Sequence, residues 1–419
     1  MARTLLIISG GIEAVPGIRL AKRMGLNVVV SDINPKAPGF AFADDHILAS
    51  TYDVEQTVDA ALKYDRSNRN IDGVICIAAD VPLTVASVAS ALGLPGIPVR
   101  SAALAASKMA MKESFSDAGI PTPWFGAIES LEHLEEVVED KGFPLVIKPV
   151  DSRGARGVLR LTDGVDLKWA FEHSLRFSPS SKVMAEEYLE GPQISTESML
   201  LEGEGVTPGF IDRNYEYLDR FAPYIIENGG QQPSRLPEDD RASVSRVAES
   251  AGRALGIENG VVKGDMVFTS EGPKVIEIAA RLSGGWMSTD QIPLGTGVDL
   301  VGCAIRLSLG EEVAPEELIP RYRRGVAIRY FLPEPGKITE IGNLDLFRRL
   351  PGVHRLCLFS SVGDVIEPVT NHTKRAGFVI TTGETAEKAV ELASKIIKDL
   401  SIRMDVHKCQ ALSSTQPFT

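Results

Sequence analysis

Three short apolar runs in the first hundred residues, at 4–9, 27–31 and 73–78, are separated by stretches of helical spacing near 15–24 and 54–64. Such alternation predicts βαβαβ order, in which parallel strands are joined by helices that cover the sheet. A Rossmann-like domain is therefore expected over residues 1–100. Gly10-Gly11 follows the first run and Asp32 the second, as in a dinucleotide fold. Their spacing is not G-x-G-x-x-G, which makes an NAD-dependent oxidoreductase the weakest reading of this region.

A helix is predicted over 100–118, where Gly119 ends it and Ile120-Pro121-Thr122-Pro123 prevents its continuation. Beyond it lie β-rich segments at 145–149, 158–161, 183–187, 195–201, 262–269 and 274–278, with helices at 166–174 and 240–255. After Gly310-Glu311-Glu312 come a strand at 324–332, a turn at 333–336, further short strands and a helix at 386–400. The expected division is 1–100, a second domain over 101–310, a small α+β domain over 311–408 and a loose tail at 409–419. A chain of 419 residues is long enough for three such domains at roughly 150 residues each. The fold class is thus α/β and α+β, multidomain.

Composition narrows the function. A net charge of −12 argues against nonspecific nucleic-acid binding, which requires a basic surface. No segment approaches the roughly 20 apolar residues of a membrane span, and the opening run is expected to be a buried strand rather than a signal peptide. Cys76, Cys303, Cys357 and Cys409 are far apart and show no zinc spacing, as expected of reduced thiols in a cytoplasmic protein. Asn371-His372-Thr373 matches a glycosylation acceptor in form only.

Phe143-Pro144-Leu145-Val146-Ile147-Lys148-Pro149 ends an apolar strand on a lysine. Burying that charge is costly unless an anion satisfies it, and a bound ligand is the expected anion. Ser152-Arg153-Gly154-Ala155-Arg156-Gly157-Val158 follows, a loop whose glycines admit a close ligand and whose amides and arginines suit phosphate oxygens. Glu186-Glu187-Tyr188-Leu189 leaves a strand with backbone groups able to hydrogen-bond a purine edge. Asp265 and Glu277 fall on two strands joined by a turn at 270–273, which forms a hairpin that brings the carboxylates together. Two carboxylates make a minimal Mg²⁺ site, because Mg²⁺ takes its remaining oxygens from water and phosphates. Arg281 lies four residues beyond Glu277, where it can meet negative charge.

In this order the lysine, glycine-rich loop, Glu-Glu-Tyr-Leu linker and Glu-x-x-x-Arg hairpin resemble the ATP-grasp superfamily over residues 1–310. Within it the chain is similar to biotin carboxylase, the purine-pathway ligases and, most closely through Glu277-Ile-Ala-Ala-Arg281 and its third domain, the L-amino acid ligases. The resemblance implies that residues 101–310 form an ATP-grasp domain, that Lys108 and Lys148 contact ATP phosphates, and that Ser152, Gly154, Gly157 and Val158 belong to a mobile lid. Glu186, Glu187, Tyr188 and Leu189 would hold adenine, Gln193 the ribose, and Asp265 and Glu277 Mg²⁺ or Mn²⁺. Lys148 and Arg281 would be catalytic. Three positions depart from the pattern: Ala279 replaces an asparagine, Lys263 a histidine and Gln193 a glutamate. With Ala279 and Lys263 fewer side chains hold the ions, and Asp265 itself is one methylene shorter than the usual glutamate, which shifts a site without removing it.

The implied reaction is phosphoryl transfer from ATP to a small-molecule carboxylate, followed by attack of an amine on the acyl phosphate, with ADP and phosphate released. A cytoplasmic homodimer without nucleic-acid or membrane partners is expected. A purine-pathway ligase or carboxylase subunit is the alternative enzyme. A nucleotide-binding protein without turnover is the alternative of another class. The stretch 212–233, polar, aromatic and glycine-rich, is read as a loop, substrate-facing or ordinary.

Overall fold

The computed structural model describes residues 2–405, so Cys409 and the expected tail at 409–419 lie outside the described residues. The chain folds into two compact units interleaved in sequence. One comprises residues up to Pro123, Glu190–Phe210 and Leu236–Tyr322; the other comprises Trp124–Leu189, Ile211–Arg235 and the chain from Arg323 onward. No described helix is long and apolar enough to cross a membrane.

In the first unit a four-stranded sheet runs in the order Asp45–Ile47, Asn27–Ser31, Thr4–Ile8, Gly73–Cys76, and every pairing is parallel. The expected Rossmann-like alternation is therefore present. Its helices start where the sequence supplies a start: Pro16 lies in the first turn of Val15–Arg23, and Asp53 caps Val54–Ser67 by accepting from the Gln56 amide at 3.0 Å. Leu6, Ile8, Val29 and Val74 on one face of the sheet pack with Ala61 of Val54–Ser67 and with Val88. Asp32 accepts from the amides of Gly10 and Asn34, each at 2.9 Å. Its carboxylate thus holds its own loops together.

The helix expected at 100–118 is two helices, Val99–Ala106 and Lys108–Asp117. Ser107 is extended between them, and its hydroxyl accepts from the Ala110 amide at 3.4 Å, so a serine cap competes successfully with continuation of the helix. Lys108 consequently begins a helix.

Further along this unit, Gln193–Leu201, Gly260–Thr269 and Gly272–Ala279 form an antiparallel ladder. The helix Glu238–Ala254 covers it by inserting Val244, Ala248 and Ala251 into a core that includes Phe115, Leu200, Val262 and Val275. Removing such side chains from water is the main force that fixes the ladder's back face.

The second unit has two cores. Phe125–Ile128, Val183–Glu187, Leu145–Pro149 and Leu159–Leu161 make an antiparallel sheet, packed by Leu134, Ile147, Leu159 and Ala170. Gly229–Gln232, Gly325–Phe331, Gly377–Gly383 and Val353–Leu358 form a second ladder, and the helix Ala386–Asp399 lies on it through Ala389, Ala393 and Ile396. The strand Glu204–Asn214 carries the chain from the first unit into the second.

Candidate active site

On the strand Leu145–Pro149, residues 146 and 148 share a face, since side chains alternate along a strand. Val146 pairs with Arg160 on one side and Glu186 on the other, which places Arg160, Glu186 and Lys148 on that same face. Lys148 is 3% exposed and Glu186 4%, and the two form an ion pair. The expectation that a ligand alone satisfies Lys148 is therefore corrected: a carboxylate of the neighbouring strand meets it. Glu187 donates its amide to Trp124 O at 2.9 Å, and Tyr188 lies under the Arg160 guanidinium, 4.6 Å from ring centre to Cζ. Leu189 is buried as the chain leaves the sheet.

The glycine-rich loop is fixed at both ends. Asp151 accepts from Ser178 Oγ at 2.7 Å and the Ser180 amide at 2.8 Å, while Gly157 O accepts from Ser174 Oγ at 2.7 Å. Gly157 has φ +72°, and a methyl there would stand 2.9 Å from both Phe177 Cβ and Pro149 Cγ, so only glycine fits. At the tip, Gly154 O accepts from the His372 amide at 3.1 Å. Nothing in the sequence links residues 154 and 372. Asn371 is 4% exposed and its Oδ1 accepts from the Thr373 amide at 3.0 Å and Thr373 Oγ1 at 2.6 Å. The glycosylation match is thus a buried turn.

In the first unit the carboxylate hairpin has the expected form. Asp265 lies opposite Glu277, with the register slipping just after Asp265. Asp265 is 7% exposed; Ser195 Oγ donates to its Oδ1 at 3.1 Å, and the Lys263 ammonium ion-pairs with its Oδ2. The Lys108 ammonium, presented by the helix that Ser107 caps, is 3.7 Å from Glu277 Oε2. Gln193 opens the strand next to the hairpin, opposite Val267. Arg281 reaches Asp80 at 3.5 Å. Burial works against its charge, but Asp80, Cys76, Asp265 and Glu277 more than compensate and hold the guanidinium above its ordinary pKa. Burial pushes the Cys76 thiol up to about 12.

Two groups that the sequence reading missed lie beside this hairpin. Asp80 sits at the carboxyl end of the parallel sheet, just after Gly73–Cys76, and meets Arg281 across a sequence gap that conceals it. Glu197 shares a strand face with Ser195, is fully buried, and accepts from the Ser283 amide at 2.7 Å and Ser288 Oγ at 2.6 Å. Burial raises its carboxyl pKa; the hydrogen bonds from Ser288 and Ser283 and the charge of Arg281 offset part of that rise. Glu13 binds the Gly285 amide at 2.8 Å, and a methyl on Gly284 would come within 2.6 Å of Glu13 Oε2. The segment after Arg281 is thereby held from two directions, by Glu197 and Glu13.

The second unit holds a further buried cation. Arg329 is 4% exposed; it donates to Gly230 O at 3.2 Å, Ile328 O at 2.9 Å and Gln231 Oε1 at 3.1 Å, and lies 3.8 Å from Glu216. Burial pulls its pKa down, with Glu216 the leading counterweight. Nearby Arg213 grips Glu227 at 2.7 Å, and Arg375 donates to Glu227 O at 2.7 Å. The stretch 212–233, read as a loop, is corrected at both ends: 212–214 pair with 229–231 as antiparallel strands. A methyl on Gly230 would stand 2.6 Å from Ile211 Cγ2, so the glycine that suggested a turn serves close strand packing instead.

Among the described residues no group of three or more His, Cys, Asp or Glu side chains forms a metal cage. Asp265 and Glu277 alone fit a Mg²⁺ that draws its remaining oxygens from phosphates and water.

Residues 105–285 match the ATP-grasp domain, and residues 329–405 match the L-amino acid ligase C-terminal domain 2. The uncharacterized protein y4rH of Sinorhizobium fredii is 25% identical over 395 residues, covering 91% of this chain and 79% of that protein. The D-alanine–D-alanine ligase of Azoarcus sp. is 27% identical over 222 residues, covering 51% of this chain and 70% of that ligase. The crystal structure of the L-amino acid ligase from Bacillus licheniformis superposes with a TM-score of 0.82 at 22% identity, covering 96% of this chain and 99% of that one.

Proposed function

We propose that this chain, which carries an ATP-grasp domain followed by the C-terminal domain of L-amino acid ligases, is a carboxylate–amine ligase that forms an amide through an acyl phosphate and releases ADP and phosphate. The observation that carries this reading is the hairpin: Asp265 opposite Glu277, with the Lys263 ammonium at Asp265, the Lys108 ammonium at Glu277 and the Arg281 guanidinium within the field of both carboxylates. Such a cluster suits the movement of a phosphoryl group, where charge must be neutralised as it develops.

Lys108 and Lys148 are assigned to the ATP phosphates. Ser152, Gly154, Gly157 and Val158 line the loop that covers them, Glu186 to Leu189 present the backbone that takes adenine, and Gln193 contacts the ribose. Because the Glu186 side chain is turned to Lys148, the residue serves adenine through its main chain. Asp265 and Glu277 hold Mg²⁺ or Mn²⁺, which when bound neutralises and aligns the phosphate oxygens. Arg281 stabilises negative charge at the reacting carboxylate, and Asp80 fixes the guanidinium for that task. Glu197 positions the segment after Arg281 by accepting from the Ser283 amide and Ser288 Oγ. Arg329, buried and charged, is assigned to the carboxylate of a substrate.

The substrates are assigned as amino acids, joined by an amide or peptide bond. The domain division at 1–100, 101–310 and 311–408, a homodimer and a cytoplasmic location complete the proposal, the last because ATP is the substrate. A coupled ADP-release screen over pairs of amino acids, bicarbonate and phosphoribosylamine tests it. Turnover with amino-acid pairs is expected. Turnover only with bicarbonate or the phosphoribosyl compound would move the chain to the carboxylase or purine-pathway reading, and nucleotide binding without any turnover would contradict a ligase.

A further inference from the structure

Lys263 and Ala279 are direct partners across the carboxylate hairpin, on the strand face that also carries Asp265 and Glu277. We propose that the Lys263 ammonium takes the place of one divalent cation at this site, so that the chain binds a single Mg²⁺ with each ATP. The inference rests on the ligase reading above and deepens it.

The two carboxylates are not equivalent. Both oxygens of Asp265 already receive a donor from the protein, Oδ2 from Lys263 and Oδ1 from Ser195. The pair is well covered, with 13% of the Lys263 side chain and 9% of the Asp265 side chain exposed. Solvent and salt therefore screen it weakly, and its attraction persists where a surface pair would fade. Glu277 is more open, with 33% of its side chain exposed and Lys108 at 3.7 Å.

The pairing of residue types explains why the ammonium can stand there. Ala279 ends in a methyl and offers no ligand atom, and it leaves space for the four-carbon stem of the residue opposite. The head of that stem is a point charge with three donors and no acceptor, so it can satisfy a carboxylate but can never bind a metal while protonated. Neither member of this pair offers a metal ligand, and the Lys263 head occupies Asp265 Oδ2 instead.

The ion pairs point the same way. Lys108, Lys263 and Arg281 face Glu277, Asp265 and Asp80 respectively, so each of these carboxylates has a protein cation beside it before any metal enters. One Mg²⁺ entering with a triphosphate can use the more open Glu277. A second would have to displace Lys263 from Asp265 and leave a buried ammonium without its carboxylate, which is strongly unfavourable.

The test counts ions rather than turnover. Mn²⁺ is titrated into the full chain holding the non-hydrolysable analogue adenylyl imidodiphosphate, with free Mn²⁺ read by electron paramagnetic resonance and nucleotide binding by calorimetry. One bound Mn²⁺ per chain is expected, and two in the double variant Lys263→His with Ala279→Asn. Lys263→Met, which keeps the stem and removes the charge, is expected to bind the analogue at least tenfold more weakly at low Mn²⁺. Two Mn²⁺ on the unaltered chain would overturn the inference while leaving the ligase reading in place, as would unchanged nucleotide affinity in Lys263→Met. If either variant failed to fold, the count on the unaltered chain would decide alone. A chain that bound no nucleotide at any Mn²⁺ concentration would overturn the ligase reading and this inference with it.

Discussion

Lys148 and Glu186 lie diagonally across adjacent antiparallel strands, each almost wholly buried, and form an ion pair on the face that also carries Arg160. The lysine proposed to hold ATP is thus also a structural cation. Removing it leaves a buried carboxylate without its partner, at a cost of about 3–5 kcal/mol. Lys148→Met is expected to lower stability by that order in urea unfolding and to abolish nucleotide binding. Adding Glu186→Gln should recover much of the stability and none of the binding, because the amide removes the stranded charge without restoring the ammonium. Equal stability of Lys148→Met and the unaltered protein would contradict the pairing.

Glu197 sets a pH dependence whose sign follows from its burial. Burial raises its folded pKa above the ordinary 4.5, so the folded protein holds the proton after the unfolded chain has released it. The stability linked to this group is complete below the unfolded value and is lost as pH rises through the folded one. Glu197→Gln cannot ionise and keeps an oxygen to accept from Ser283 and Ser288. The variant should melt near the unaltered protein at about pH 4 and above it at about pH 8, a gap that grows with pH. A gap independent of pH would mean that burial does not raise the Glu197 pKa.

Local patterns that carry their own cause were legible in the sequence. The strand Leu145–Pro149 showed itself as an apolar run closed by a lysine, and the hairpin around Asp265 and Glu277 by two apolar stretches and a turn. The helix Pro82–Leu92 was not foreseen: its Ala, Val and Ser residues are apolar or small on every side, so it has no stripe to reveal a period. Ser107 was passed over because serine is neutral within a helix until its hydroxyl finds an amide to cap. Asp80, Glu197 and Arg329 escaped for another reason. Each gains its meaning from a partner distant in the chain, Arg281, Ser283 and Gly230 respectively, and only the folded chain brings them together.

The bond from the His372 amide to Gly154 O ties the tip of the glycine-rich loop to the turn at 371–373. A loop that closes on a nucleotide must give up that bond, so the two segments should respond in opposite directions. Hydrogen exchange is expected to slow at 152–158 and to quicken at His372 when the non-hydrolysable ATP analogue binds. Slowing at both segments would show that the loop stays on the turn, and no change at 152–158 would remove the loop from the nucleotide site.

The central claim is that Lys108, Asp265, Glu277 and Arg281 serve transfer of the terminal phosphoryl group to a carboxylate. Asp265→Asn combined with Glu277→Gln removes the oxygens that align and neutralise that group and should lower turnover by at least a thousandfold, on the order of the effects seen for lost transition-state charge stabilisation. The most direct measurement uses the unaltered protein, ATP and its amino-acid substrate with hydroxylamine in place of the amine. A hydroxamate should accumulate together with ADP and phosphate in equal amounts, as an acyl phosphate requires. Accumulation of AMP and pyrophosphate would mean activation as an adenylate and would contradict the role given to the hairpin and Arg281.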